Sequence, residues 1–352
     1  MAAELRLVAL DGDGIGPEIV AATLVVLDAL EPHLARRAVV ARESIGFEAL
    51  RAQGSTIPES VIDAARAADG IILGPVSHNA YPPREEGGLN PSGVLRKSLD
   101  LYANIRPARV WPGIDCTAAE GTDLVVVREN LEGFYADRNM HEGPGEFMPV
   151  PGVAMAFRRI TEHASRRIAE AAFKLAAGRR ARHVTAIHKA NVMRLSDGLF
   201  LDTVRDVAKN FPEVGYDEML VDAAAAHLVR DPARFDVIVT TNMFGDILSD
   251  LASELCGGLG LGGSLNAGPE TAAAQAQHGS APDIAGQDAA NPSSLILSLA
   301  MLLRHLGEGE AAARVERAVG ACLARRETRT RDLGGELGTR AFTEAIAREV
   351  AA

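Results

Sequence analysis

Runs of apolar residues at strand-like spacing alternate with runs at helical spacing along most of this chain. Leu5 to Leu10 is an apolar run that ends in Asp11-Gly12-Asp13-Gly14-Ile15-Gly16-Pro17, after which Ile19, Val20, Leu24 and Leu27 recur with a helical period. That order predicts a strand, a glycine loop and a helix, with Pro17 suited to the first helical turn because its missing N–H would have no partner there. The same alternation predicts a strand near Ala38 to Ala41, a helix near Glu59 to Ala68 and a strand at Gly70 to Gly74. Leu124 to Val127 is another buried strand, Glu162 to Ala177 an alanine-rich helix, and Val184 to Val192 a strand with polar residues at its far end. The β-branched run Val237 to Thr241 predicts a buried strand. A helix follows it on Met243, Ile247, Leu248, Leu251 and Leu255, until Gly257-Gly258 ends the pattern. Two closing helices are expected, near Pro292 to His305 and Ala311 to Arg325. Repeated alternation of this kind implies an α/β fold.

Bulk properties narrow the picture. With 352 residues the chain exceeds the size at which one core stops growing, so two domains are expected. Apolar residues make up 47% and charged residues 24%, as in an ordinary soluble enzyme. A formal charge of -11 argues against nucleic acid or an anionic membrane as the main partner. The three cysteines, Cys116, Cys256 and Cys322, form no CxxC pair and read as small buried residues of a reducing cytoplasm. The N-terminal stretch has no basic region that would make it a signal peptide, and no segment approaches the roughly 18 apolar residues of a spanning helix.

Candidate chemistry gathers where strands end. Asp246 and Asp250 lie four apart near the start of the helix after Thr241, so they share a face and can offer oxygen ligands to a hard divalent cation such as Mg2+ or Mn2+. Asp222 follows a short apolar run and is a third oxygen donor. Arg96, Arg106 and Arg128 are forked cations suited to carboxylate recognition. Carboxylates around a cation beside three guanidiniums call for an anionic ligand, which describes a pocket for a small polycarboxylate. The glycines at Gly12, Gly14 and Gly16 run GxGxG before a proline, which is not the GxGxxG of a dinucleotide site. Asp11-Gly12-Asp13-Gly14-Ile15 after a strand also resembles the nucleophile loop of haloacid-dehalogenase phosphatases, which makes a phosphatase using Asp11 one competing reading.

Six segments in order, LDGDGIGPE, LRKSLDLYANIRPARV, VVVRENLEGFY, HKANV, TTNMFGDILSDLASE and HGSAPDIAGQDAANP, resemble the isocitrate and 3-isopropylmalate dehydrogenase family of β-decarboxylating dehydrogenases, which includes tartrate/D-malate and homoisocitrate branches. The resemblance runs from about residue 5 to residue 305. It implies a two-domain fold with a central cleft. One domain is cofactor-binding and takes residues 1–101 and 257–352; the other, residues 102–256, carries the metal and substrate residues and a dimerisation arm near 139–153. It also implies oxidation of a 3-substituted (R)-malate-type acid by NAD with loss of the C3 carboxylate, in a homodimer with shared sites. At matching positions Asp246 and Asp250 hold the metal from one subunit while Asp222 and Lys189 come from the other. Lys189 is the base at the hydroxyl, Tyr135 donates the proton that quenches the enolate, and Arg96, Arg106 and Arg128 grip the carboxylates. A non-catalytic regulatory subunit of the same family is a further alternative, against which Tyr135, Lys189 and the three aspartates all count.

The resemblance also places a cofactor loop, His278-Gly279-Ser280-Ala281-Pro282-Asp283-Ile284, with Asn291 near the adenine. Asp283 and Ile284 fall where NADP users of the isocitrate branch carry Lys and Tyr, and a carboxylate there accepts from ribose hydroxyls but repels a 2'-phosphate, so NAD is expected. Gln275 stands where many relatives have Glu. Asn90-Pro91-Ser92-Gly93 replaces the leucines that line the isopropylmalate pocket, with Val192 the one apolar wall that carries over, so Asn90 and Ser92 are expected to favour a polar or short C3 substituent.

Overall fold

The computed structural model describes residues 4–135, 140 and 145–352, and within them the chain divides into two compact units. One unit comprises Met1–Leu99, Trp111–Asp115 and Gly257–Ala352; the other comprises Asp100–Val110 and Cys116–Cys256.

In chain order the discontinuous unit begins with β1 (Glu4–Leu10), α1 (Gly16–Leu30), β2 (Arg37–Glu43), α2 (Phe47–Gln53), α3 (Glu59–Ala67), β3 (Gly70–Leu73) and α4 (Pro91–Ser98). The continuous unit carries β4 (Ala103–Arg109), β5 (Asp123–Glu129), β6 (Glu146–Val150), β7 (Val153–Ala156), α5 (Glu162–Ala177), β8 (His183–His188), α6 (Ser196–Ala208), β9 (Gly215–Leu220), α7 (Val221–Arg230), β10 (Val237–Thr240) and α8 (Asn242–Leu255). The chain then returns to the first unit with β11 (Leu265–Ala267), β12 (Ala272–Gln275), α9 (Ser293–His305), α10 (Gly309–Ala324) and α11 (Thr339–Ala351).

In the discontinuous unit the strands lie in the order β2-β1-β3-β12-β11, parallel except for the β11–β12 pair. In the continuous unit the order is β4-β5-β10-β8-β9, parallel except for β4–β5. β10 is central there, and its Val237, Ile238 and Val239 are fully buried. Burial on both faces explains why its sequence is a continuous apolar run and not an alternation. Ile238 packs in a cluster with Leu124, Val126, Ile187, Leu248 and Ala252, which fixes α8 over the sheet.

Several elements depart from the sequence reading. A third closing helix, α11, was not anticipated; its Phe342, Ile346 and Val350 are fully buried and it packs on α1 and α10. The glycine-rich stretch after Gly257 contains β11 and β12, whose alanines carry little hydrophobic signal. β8 stops at His188, so Lys189 to Val192 leave the sheet. Pro91, Ser92 and Gly93 belong to the first turn of α4, with Asn90 as its cap. Ile247 is 60% exposed, because α8 turns Phe244, Leu248 and Ala252 inward. The expected arm near 139–153 lies partly outside the described residues; from Glu146 onward it is a hairpin of β6 and β7, exposed throughout. Cys256 and Cys322 are buried and Cys116 is half-buried.

Candidate active site

In the continuous unit, β4, β5 and the segment after β5 bring three of the expected side chains onto one carboxylate, Asp246 of α8. Arg106 comes from β4 and Arg128 from the end of β5; both are buried, Arg128 almost completely. Arg106 donates from Nη1 to Asp246 Oδ1 at 3.2 Å, to Asp250 Oδ1 at 2.9 Å and to Ser249 Oγ at 2.9 Å. Arg128 donates from Nη1 to the same Asp246 oxygen and from Nε to Asn242 Oδ1 at 2.9 Å. Tyr135 donates its hydroxyl hydrogen to Asp246 Oδ2, and the Arg128 guanidinium stands 5.1 Å from the centre of its ring. The side chains of Asp246 and Asp250 remain 36% and 48% exposed, so the acidic helix face backed by these arginines opens to solvent. Exposed oxygen donors one helical turn apart suit a hard divalent cation.

Gly245 makes room for this arrangement. A Cβ there would lie 2.6 Å from the Cβ and Cγ of Arg128, whose side chain has nowhere exposed to move. Gly245→Ala is therefore expected to destabilise the protein by about 1–3 kcal/mol and to displace the guanidinium. Chemical denaturation and the substrate KM would check this; an unchanged unfolding midpoint would contradict it.

Lys189 and Asp222 form a separate pair in the same unit, with Lys189 Nζ donating to Asp222 Oδ1. That bond holds the Asp222 carboxyl below the usual carboxylate range. Among the described residues no three His, Cys, Asp or Glu side chains gather into a group able to hold a metal. Val192 is 68% exposed.

The discontinuous unit holds the remaining expected residues in two places. On α4, Asn90 accepts from the Gly93 N–H at 3.2 Å, so its carboxamide oxygen caps the helix. Ser92 Oγ and Arg96 Nη2 both donate to Gln275 Oε1, each at 3.1 Å. The loop from His278 is the second place. The Ser280 carbonyl accepts from the Ile15 N–H at 2.8 Å and the Ser280 hydroxyl meets that of Ser77 at 2.7 Å. Gly14 must be glycine at this contact, since a Cβ would sit 2.0 Å from the Ser280 oxygen. His278 shares a hydrogen with the Gly279 carbonyl, and burial lowers its pKa, so the ring is neutral near pH 7. Gly279 and Asp283 are exposed, Ala281 has a positive φ of 34°, and Ile284 is half-buried. Asn291 is committed at both ends, donating to Asp332 and accepting from the Ser293 N–H.

Comparison with known proteins decides the family. The sequence model of the isocitrate/isopropylmalate dehydrogenase family matches residues 6–348. The chain belongs to that family. It is 45% identical to an isocitrate/homoisocitrate dehydrogenase of Thermus thermophilus, over 97% of each chain. It is 43% identical to a 3-isopropylmalate dehydrogenase of Archaeoglobus fulgidus, over 97% of this chain and 98% of that one. A crystal structure of isocitrate dehydrogenase from Methylococcus capsulatus superposes with a TM-score of 0.89 at 39% identity, over 99% of both chains. Members of the isocitrate/isopropylmalate dehydrogenase family are dehydrogenases that act on CH–OH groups of small carboxylates. This assignment removes the ground for the phosphatase reading of Asp11, whose carboxylate is gripped by Arg42 Nη2 at 2.7 Å. Among the described residues no helix is long and apolar enough to cross a membrane.

Sequence reasoning missed the residues behind the site. Glu129 and Glu132 are buried carboxylates flanking Asn130 and Leu131. Glu129 accepts from the N–H groups of Leu131 and Glu132, and Glu132 accepts from the Thr161 N–H and hydroxyl, which ties the segment before Tyr135 to the start of α5. Burial, aided by the Glu129 charge, pushes the Glu132 pKa up to about 7 despite the Thr161 bonds that favour ionisation. Between its ordinary value near 4.5 and about 7 the folded chain keeps a proton that the unfolded chain has released. Stability from this group is therefore greatest below that window and falls as pH rises through it, by about 3 kcal/mol. Glu132→Gln is expected to flatten that stretch of the unfolding midpoint against pH. An equally steep profile in the variant would show that the slope lies elsewhere.

Proposed function

We propose that this chain catalyses NAD-dependent, divalent-metal-dependent oxidative decarboxylation of a 3-substituted (R)-malate-type acid of the isocitrate, homoisocitrate, tartrate/D-malate or 3-isopropylmalate kind. The observation that carries the reading is the convergence of Arg106, Arg128 and Tyr135 on Asp246. Two buried guanidiniums there face carboxylates that are themselves open to solvent, which is the charge arrangement an anionic chelate needs.

Asp246 and Asp250, with Asp222 from the second copy of a homodimer, would hold Mg2+ or Mn2+. When bound, the metal supplies Lewis acidity at the C2 oxygen, favouring deprotonation of the alcohol and then the enolate left by CO2. Arg106 and Arg128 orient the substrate carboxylates with their forked donors, and Arg128, itself buried, fixes the leaving carboxylate by Coulomb attraction. Lys189, like Asp222 supplied by the second copy, takes the hydroxyl proton, and Tyr135 returns one to the enolate carbon. The family resemblance gives Arg96 a substrate carboxylate to grip; in the discontinuous unit it donates, with Ser92, to Gln275. The polar character of Asn90 and Ser92 supports a polar or short C3 substituent.

Asp283, exposed on its loop, supports NAD over NADP because its charge opposes a 2'-phosphate. The test is a panel of isocitrate, homoisocitrate, 3-isopropylmalate, tartrate and D-malate with Mn2+ and either cofactor, followed by absorbance of the reduced nicotinamide. Expected are turnover of at least one non-isopropyl acid and a kcat/KM about 100-fold higher with NAD than with NADP. A preference for 3-isopropylmalate would refute the reading of Asn90 and Ser92, and a preference for NADP that of Asp283.

A further inference from the structure

In the discontinuous unit β2, β1, β3 and β12 run parallel, so the turns that leave them meet along one edge of the sheet. Ligands of open α/β sheets bind outside that carboxyl edge. Asp13 stands there, buried, between Gly12 and Gly14 in the turn after β1. Its Oδ1 accepts from the Phe47 N–H at 2.9 Å, at the start of α2. Its Oδ2 accepts from the Ser77 N–H at 2.9 Å and from the Tyr81 hydroxyl, both in the segment after β3. Phe47 and Tyr81 also pack edge to face, their ring centres 4.9 Å apart. The N–H of Asp13 itself donates to the Pro75 carbonyl at 2.8 Å. Gly46 has a φ of 74°, and a Cβ there would collide with the Asp13 carboxylate.

A carboxylate is an acceptor only, and three donors on one buried group leave it little freedom to turn. What Asp13 holds in turn is the loop from His278. Ser77 has its N–H on Asp13 and its hydroxyl against that of Ser280, while Ile15, two residues beyond Asp13, gives its N–H to the Ser280 carbonyl. Both of these links to Ser280 run through residues that Asp13 fixes. We infer that Asp13 is a positioning residue for the cofactor: its charge locks the turns after β1, β2 and β3 together and so keeps the loop of Ser280 and Asp283 in the shape that binds NAD. It acts through Ser77 and Ile15. The inference rests on the reading of residues 278–284 as the cofactor loop.

The test pairs hydrogen exchange of the free protein with binding of NAD. Asp13→Ala releases the Phe47 and Ser77 N–H groups and the Tyr81 hydroxyl together. Exchange over residues 276–287, followed by mass spectrometry without cofactor, is expected to quicken about tenfold. The Kd for NAD, measured by calorimetry, is expected to weaken about tenfold. At saturating NAD, kcat and the KM of the best acid of the panel should stay within about twofold, a split that general loosening of the fold would not give. Ser77→Ala leaves the Asp13 bonds in place and cuts only the hydroxyl link to Ser280. It carries the same test if Asp13→Ala does not fold, with effects of about threefold on exchange and on the Kd for NAD.

Unchanged exchange over residues 276–287 would overturn the inference and leave the assignment of the loop standing. Quickened exchange with wild-type affinity for NAD is a different result: it would refute the assignment of the loop to the cofactor, and the inference with it. Equal losses in acid and NAD binding, or failure of both variants to fold, would mark Asp13 as a general stability element and overturn it too.

Discussion

Asp246→Asn is expected to lower kcat for reduced-nicotinamide formation by at least about a thousandfold. Asp246 accepts from Arg106 and Arg128 on one oxygen and from Tyr135 on the other, so its charge is the common counterweight of three proposed active-site groups. Asparagine has nearly the same shape and keeps one acceptor, so the fold is expected to survive with a loss of about 1–2 kcal/mol from the weakened charge-assisted bonds. What it cannot supply is the negative charge. Of the two carboxylates only Asp250, which accepts from Arg106, would then stay charged, and an incoming divalent cation would face net repulsion. Binding of Mn2+ measured by calorimetry should weaken in parallel with kcat. A variant that turns over within tenfold of the parent, or that binds Mn2+ equally well, would remove Asp246 from the centre of the chemistry.

The second large effect is expected at Tyr135. Tyr135→Phe should reduce kcat about 100- to 1,000-fold while leaving substrate KM within about threefold, the usual scale for loss of a positioned proton donor. The ring stacks on Arg128 whether or not it carries a hydroxyl, so packing is conserved and the unfolding midpoint should hardly move. That separation makes the experiment decisive. A large KM effect would assign the hydroxyl to substrate binding, and a variant at full speed would leave the enolate to be protonated by something else.

The two arginines next to Asp246 show how far the linear pattern reaches. Arg106 and Arg128 stood out as carboxylate partners from their place at element ends, and β5 and β10 were plain in their β-branched runs. Pro107 disguised β4, since proline disfavours strands, yet the segment pairs in antiparallel register with β5 from Ala103 to Arg109. The alanine-rich β12 and the charged α11 were hidden for a similar reason: burial there depends on what packs opposite, and small or widely spaced apolar residues leave little periodic signal. The partners of Asp13 gave no sign at all, because a hydrogen bond between residues 64 positions apart has no local signature.

The order of residues by itself determined the α/β character of the chain, its family and which acids, bases and cations stand at strand ends, since these follow from short-range periodicity and from motifs only a few residues long. The tertiary structure alone decided that Asp246 is shared by two arginines and a tyrosine, that Asn90 caps a helix, that Gln275 receives Arg96 and Ser92, and that Asp13 gathers Phe47, Ser77 and Tyr81. The physical reason is that hydrogen-bond partners and desolvation are set by distance in space, and a chain position fixes neither until the sheet has brought its strands together.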